Sequence, residues 1–191
     1  MGKIVVSENV SLDGVSQDPT GDEGFPFGGW FDPATAADRE AWAKVELEEA
    51  LGAEALLLGG RTYEWFADRW ISRTGEWADR LRSLPKYVVS STLEDLPWVN
   101  STIVTGDVVD EVSKLKHEVN GDIVVYGSGR LVKTLMGHDL VDELRLMTHP
   151  FVVGAGERLF GESREKKPLR LVDIRTVGDG FALLTYQLVR P

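Results

Sequence analysis

Asp-Ile-Val-Val-Tyr-Gly-Ser-Gly-Arg-Leu-Val-Lys-Thr, residues 122–134, is the stretch on which the reading of this chain turns. Ile123 to Tyr126 is a short apolar, β-branched run, the pattern of a buried strand. Gly127, Ser128 and Gly129 interrupt it. Leu131, Leu135 and Met136 then recur at helical spacing. The stretch therefore reads as strand, tight glycine turn, helix. Such a unit suits an anion, because free N–H groups point outward at a helix N-terminus and the helix dipole favours negative charge there. Val132 stands where the third glycine of a dinucleotide fingerprint belongs, so the motif is incomplete. The same residues also serve as an ordinary strand-to-helix turn.

Working outward, the same grammar repeats. Strands are expected over residues 3–10, 55–58, 87–89 and 102–104. Helices are expected over residues 36–51, from Arg61 to Phe66 or Trp70, and over 108–119. Residues 73–84 read as helix or loop. Residues 17–33 form a long Gly-, Pro- and Asp-rich loop that carries Phe25, Phe27, Trp30 and Phe31. A loop of that length with aromatic residues is expected to pack over something. Trp30 and Phe31 are candidate walls of a substrate pocket. The last third follows a different pattern. A strand over 143–153 is interrupted by Pro150, and residues 169–177 and 181–189 flank Gly178-Asp179-Gly180, a hairpin turn signal. Strands alternating with helices and closing on a hairpin predict one α/β domain over residues 1–191. Its sheet is mixed but mostly parallel, with an antiparallel C-terminal edge.

Composition narrows the partners. The chain has 191 residues, no cysteine and a formal net charge of -10. Nucleic acid and anionic membrane both call for a positive face, so neither is expected as a partner. Thiolate chemistry is excluded. The three histidines, His117, His138 and His149, lack metal-ligand spacing, and no metal site is expected. His149 precedes Pro150, where a strand approaches the ligand. The acidic face of the first helix and the group Asp139, Asp142 and Glu143 read as solvated charge or helix caps. No signal-peptide core follows Met1, and no apolar run nears a membrane span, so the expectation is a cytoplasmic protein.

Four expected strands end in small or polar residues: Leu58 into Gly59-Gly60-Arg61-Thr62, Val89 into Ser90-Ser91, Val104 into Thr105-Gly106, and Tyr126 into Gly127-Ser128-Gly129. Parallel order places those ends on one sheet edge, where ligands of open α/β sheets bind. An edge of Gly, Ser, Thr and Arg suits an extended, multiply phosphorylated ligand such as a dinucleotide. At the strand ending in Val89, Ser90 and Ser91 replace the acid that would hold an NAD ribose. Lys86 lies upstream and Arg61 is near, so NADPH is favoured over NADH.

These segments resemble the three cofactor-binding segments of the dihydrofolate reductase superfamily, namely Leu57-Leu58-Gly59-Gly60-Arg61-Thr62-Tyr63-Glu64, Tyr87-Val88-Val89-Ser90-Ser91 and Val124-Val125-Tyr126-Gly127-Ser128-Gly129-Arg130. Ser11-Leu12-Asp13-Gly14 resembles the reductase domain of the bifunctional riboflavin-biosynthesis deaminase–reductase and its stand-alone relatives. The resemblance implies a three-layer α-β-α domain, a homodimer in the family's manner, and an NADPH-dependent reductase. Hydride would pass to a small heterocycle, imine or carbonyl, of the 5-amino-6-(5-phosphoribosylamino)uracil or pterin type. By the same resemblance, Arg61 and Thr62 would meet the cofactor phosphates and Ser90 and Ser91 the 2′-phosphate side. Gly127, Ser128, Gly129 and Arg130 would cradle the pyrophosphate. Gly59, Gly60, Thr105 and Leu131 complete that rim, Val10 and Asp13 would flank the nicotinamide, and the candidate proton donor is Asp13 or simply water. Folate reduction uses a carboxylate on the first helix. Ala43 stands at that place, with Glu40 and Glu46 three residues to either side. That departure keeps a second function open, an NADP(H)-binding module or sensor without turnover.

Overall fold

The structure is a computed structural model that describes residues 1–31, 35–161 and 166–189. In chain order the elements are β1 (Lys3–Ser11), α1 (Ala36–Gly52), β2 (Ala53–Gly59), α2 (Gly60–Trp70), α3 (Glu76–Ser83), β3 (Lys86–Val89), β4 (Ser101–Val104), α4 (Val108–Glu118), β5 (Asp122–Tyr126), α5 (Gly129–Gly137), β6 (Glu143–His149), β7 (Leu169–Val177) and β8 (Phe181–Leu188). One eight-stranded sheet runs in the order β4-β3-β2-β5-β1-β6-β8-β7. β2 pairs parallel with β3 and β5, and β3 with β4. β8 pairs antiparallel with β6 and β7. The expected mixed α/β sheet with an antiparallel C-terminal hairpin is the one observed. The last residues of the expected aromatic loop, 32 and 33, lie outside the described residues.

The chain divides into two compact units. The first comprises Met1–Val6 and Val45–Asp142. Its core gathers Val5, Leu56, Leu58, Phe66, Leu81, Val88, Trp98, Val124 and Tyr126 from successive strand–helix repeats. Residues 73–84 resolve into α3. Arg80 on α3 donates to the carbonyls of Ala50 (3.0 Å) and Ala53 (2.6 Å), and Trp77 Nε1 donates to Glu46 O (3.2 Å). The last carbonyls of α1 lack a basic residue in their own final turn, and a cation from another helix satisfies them.

Two charged residues of this unit depart from the sequence reading. Asp142 is not a solvated or capping charge: its carboxylate accepts from Ile4 N (2.8 Å) and from Lys116 Nζ (2.6 Å), and Lys116 also donates to Leu140 O (3.0 Å). Lys116 occupies a position on the buried side of α4, beside Val112 and Leu115. Lys86 does not serve the cofactor end of β3. It is buried at the other end, donating to the carbonyls of Leu84 (2.8 Å), Val99 (3.0 Å) and Arg82 (3.2 Å), with Nζ over the Trp98 ring. Burial pushes its pKa down to about 8.

The second unit comprises Ser7–Lys44 and Glu143–Pro191. The turn after β1 and the segment after β6 are zipped together by backbone bonds between Leu12 and Phe151, Ser16 and Glu157, and Leu159 and Gly14. Asp18 organises the long loop. It is buried, and its carboxylate accepts from the N–H groups of Glu23 and Phe25, both at 3.0 Å. The acidic face of α1 is not wholly solvated, because Asp38 and, in the first unit, Glu46 are buried. Asp38 exchanges bonds with Thr35 and accepts from Asp179 N (2.7 Å), which ties the hairpin turn to the helix start. Glu143 is likewise buried and pairs with Arg145 at 2.8 Å.

Candidate functional site

In the first unit the strand tips converge as their residues required. Gly59 of β2 registers with Val89 of β3, and Val89 with Val104 of β4. On the other side Leu56 registers with Val124 of β5, so continuing both strands brings Gly59 level with Gly127. Two hydrogen bonds tie the β5 tip to β2 and to α2, and a third braces it internally. Gly59 N donates to Ser128 Oγ (2.9 Å), Ser128 Oγ donates to Tyr126 O (3.0 Å), and Ser128 N donates to Thr62 Oγ1 (3.1 Å). The hydroxyl of Ser128 thus braces the turn from within. Gly127 (φ 53°) and Ser128 (φ 61°) are both left-handed, a conformation that costs a residue with a Cβ about 1–2 kcal/mol.

That brace sets two helix N-termini side by side. α2 starts after Gly59 and α5 after Ser128, and neither has a side-chain cap. Their first N–H groups have no acceptor within their own helix. Arg61 and Arg130, both exposed, stand in the two first turns. Gly129 has open space where a Cβ would lie. Gly60 does not: a Cβ there would meet Ser90 Oγ at 2.9 Å. The β4 tip behaves differently. Asp107 caps α4 by accepting from Val109 N (2.9 Å) and Asp110 N (3.1 Å), so the helix start beyond Thr105 is already filled by a carboxylate. Ser90 Oγ accepts from the N–H groups of Thr92 (3.2 Å) and Leu93 (3.1 Å), while Ser91 is exposed. Leu131 packs inward from the first turn of α5.

In the second unit, Val10 is buried on β1. Asp13 is a loop clamp. It accepts from Ser11 Oγ (2.7 Å), Val153 N (3.1 Å) and Gly154 N (3.0 Å), with Arg158 at 3.7 Å. The Ser11 hydroxyl and then those backbone donors lower its pKa to about 2. A carboxylate so held carries no proton at neutral pH, which removes the basis for Asp13 as a proton donor. Trp30 and Phe31 are brought together against His149, with ring centroids 5.5 and 5.4 Å away. Trp30 Nε1 donates to Gln17 O at 2.8 Å. Ala43 and Glu40 are exposed on α1. Sequence reasoning missed Glu8, which is buried on β1 and whose pKa desolvation raises to about 8. An acid inside an apolar strand was the available sign. Among the described residues no group of His, Asp and Glu could hold a metal ion, and no helix is long and apolar enough to cross a membrane.

The profile of one protein family, the RibD C-terminal domain, matches residues 2–183. The chain belongs to that family. A curated relative, the uncharacterized protein YyaP of Bacillus subtilis strain 168, is 36% identical over 107 residues, which span 56% of this chain and 56% of YyaP. Among solved structures, a putative riboflavin biosynthesis protein from Shewanella sp. PV-4 superposes with a TM-score of 0.74 at 20% identity, covering 98% of this chain and 99% of that one. A pyrimidine reductase-like protein from Corynebacterium diphtheriae gives 0.67 at 15% identity, covering 99% and 92%. At such identities these two structures speak for the fold of the RibD C-terminal domain family.

Proposed function

We propose that the chain is an NADPH-dependent reductase that acts on a small heterocyclic, imine or carbonyl substrate, such as a ribosylaminopyrimidine or a pterin. The observation that carries this reading is the braced pair of uncapped helix N-termini, α2 and α5, each with an arginine in its first turn, on a chain of net charge -10. The N–H groups of Gly129, Arg130 and Leu131 fit one phosphate, and those of Gly60 and Arg61 a neighbouring one. Arg61 and Ser91 are the groups left for a 2′-phosphate, since Lys86 is committed to backbone carbonyls. The nicotinamide, when bound, supplies the hydride. In the second unit Asp13 positions the loop after β1, and water is the source of the proton. A cytoplasmic location belongs to the same proposal.

The test is Gly129→Asp. Open space at that Cβ leaves the fold unstrained, and the added carboxylate faces the anion. The variant is expected to keep the wild-type melting temperature and to lose more than about tenfold in NADPH affinity by calorimetry. Unchanged affinity removes the phosphate assignment. Loss of NADPH absorbance with dihydrofolate, flavin precursors or small carbonyls then separates a reductase from a cofactor-binding module without turnover.

A homodimer is proposed as the assembly, through the C-terminal hairpin. β7 is an edge strand, exposed along eight of its nine residues. Leu169, Leu171 and Ile174 are 39%, 47% and 63% exposed. Their ladder partners are Leu188, Tyr186 and Leu184. A second copy carries the same apolar surface.

A further inference from the structure

The second unit holds a buried histidine whose two ring nitrogens are treated differently. His149, the last residue of β6, has no solvent exposure. Its Nε2 lies 3.1 Å from Asn9 Oδ1 on β1. A carbonyl oxygen can only accept, so Nε2 carries the ring proton. Burial pushes the pKa down to about 4, and the ring is neutral at physiological pH. Nδ1 is therefore a bare lone pair, and it has no hydrogen-bond partner. Buried acceptors are almost always paired, so one left open asks for an explanation, and a donor brought by a ligand is one.

The surroundings say what that is. Trp30, Phe31, Phe151 and Phe181 contribute rings with centroids 4.7–5.8 Å from His149. None carries a charge. Trp30 and Phe31 come from the long loop and are only half-buried, whereas His149 and Phe181 are buried. Nδ1 itself is closed to solvent beneath these rings, so a ligand reaches it only where the half-buried Trp30 and Phe31 side gives way. Aromatic walls favour a flat ring, a neutral imidazole offers nothing to an anion, and a lone pair asks for a donor.

We propose that His149 is a specificity-determining residue, its Nδ1 accepting a hydrogen bond from a ring N–H of a flat, uncharged heterocycle held by Trp30, Phe31 and Phe151. Asn9 is the positioning residue that fixes the tautomer. This deepens the reductase reading, on which it rests for the word substrate, and it assigns the donor–acceptor sense of recognition. The heterocycle must present an N–H, and an otherwise similar ring with its nitrogens alkylated is rejected, because the buried acceptor then stays unpaired.

The experiment uses the full chain without cofactor and two flat neutral probes, uracil and 1,3-dimethyluracil, which differ in their N–H groups. Calorimetry is expected to show uracil binding at least about tenfold more tightly. His149→Phe should abolish the difference, and His149→Asn, which returns an acceptor near the Nδ1 position, should restore part of it. Nitrogen-15 spectra of the wild-type protein give a readout that needs no variant: uracil should shift Nδ1 and leave the Nε2–H tautomer in place. Equal affinity for the two probes, no binding of either, discrimination that survives in a folded His149→Phe protein, or an unmoved Nδ1 resonance each overturn the assignment. NADPH binding is measured separately. Its failure with probe discrimination intact would remove the reductase reading alone, and the reverse pattern would remove His149 alone.

Discussion

Ser128 is the residue whose replacement most directly interrogates the braced rim. Its Oγ accepts from Gly59 N at 2.9 Å and donates to Tyr126 O at 3.0 Å, and its backbone sits at φ 61°. Ser128→Ala strands the Gly59 N–H, which costs about 1–3 kcal/mol, and loses the bond to Tyr126 O, about 1 kcal/mol. The left-handed backbone penalty is unchanged, because alanine keeps a Cβ. The expected loss is about 2–4 kcal/mol. Ser128→Gly suffers the same hydrogen-bond losses and is relieved of the Cβ penalty, so it should be about 1 kcal/mol more stable than the alanine variant. Urea titration followed by tryptophan fluorescence reads both. With a slope of about 2 kcal/mol/M, a loss of about 3 kcal/mol moves the midpoint by about 1.5 M, and the slope itself should not change. Both variants unpin the tips of β2 and β5 and should bind NADPH more weakly than the wild type. An alanine variant within about 0.5 kcal/mol of the wild type, or a glycine variant less stable than alanine, refutes the brace.

Three other substitutions probe particular contacts. Asp142→Ala leaves Lys116, whose side chain is 6% exposed, without its counter-charge and Ile4 N without its acceptor, and should lower stability by about 3–5 kcal/mol in the same assay. Replacing both Lys116 and Asp142 with apolar residues should recover much of that loss. Glu8 keeps its proton in the folded chain up to about pH 8, whereas the unfolded chain releases it near 4.5. The folded state then binds the extra proton between those values, so stability falls as pH rises from 4.5 to 8. Glu8→Gln should flatten that slope in thermal melts and be the more stable protein at the alkaline end. A slope identical to the wild type's would show that Glu8 is already ionised in the fold. Ile174→Glu places a charge on the exposed hairpin face, and sedimentation should report a shift from dimer to monomer. An unaltered mass would dismiss the hairpin as the interface.

Much of this architecture was legible from local pattern alone. Ile123–Tyr126 and Leu56–Leu58 are apolar runs cut by glycine, and each became a strand entering a helix, because backbone freedom and burial act over a few residues. The hairpin at Gly178-Asp179-Gly180 was equally local. The candidate rim followed once parallel order was inferred, since small residues ending successive parallel strands must share an edge. What the residues alone did not reveal were the partners of charges and hydroxyls. Lys86 read as a cation upstream of the 2′-phosphate side and is a core bridge among three carbonyls. Ser128 read as a ligand contact, and its hydroxyl also braces Gly59 against Tyr126. Asp13 read as a proton donor and is a clamp for a segment 140 residues away.

The amino-acid order by itself determined where strands and helices form, that the sheet is mixed, and which glycine-bearing tips meet, because periodicity and turn chemistry are short-range. Only the folded chain decided what each polar atom bonds to. Asn9 and His149 stand 140 positions apart, and Lys116 and Asp142 stand 26 apart. A hydrogen bond between such residues depends on tenths of an ångström that no spacing in the chain encodes. The chemistry of both units rests on those long-range pairings, which leave some donors and acceptors satisfied and a few open.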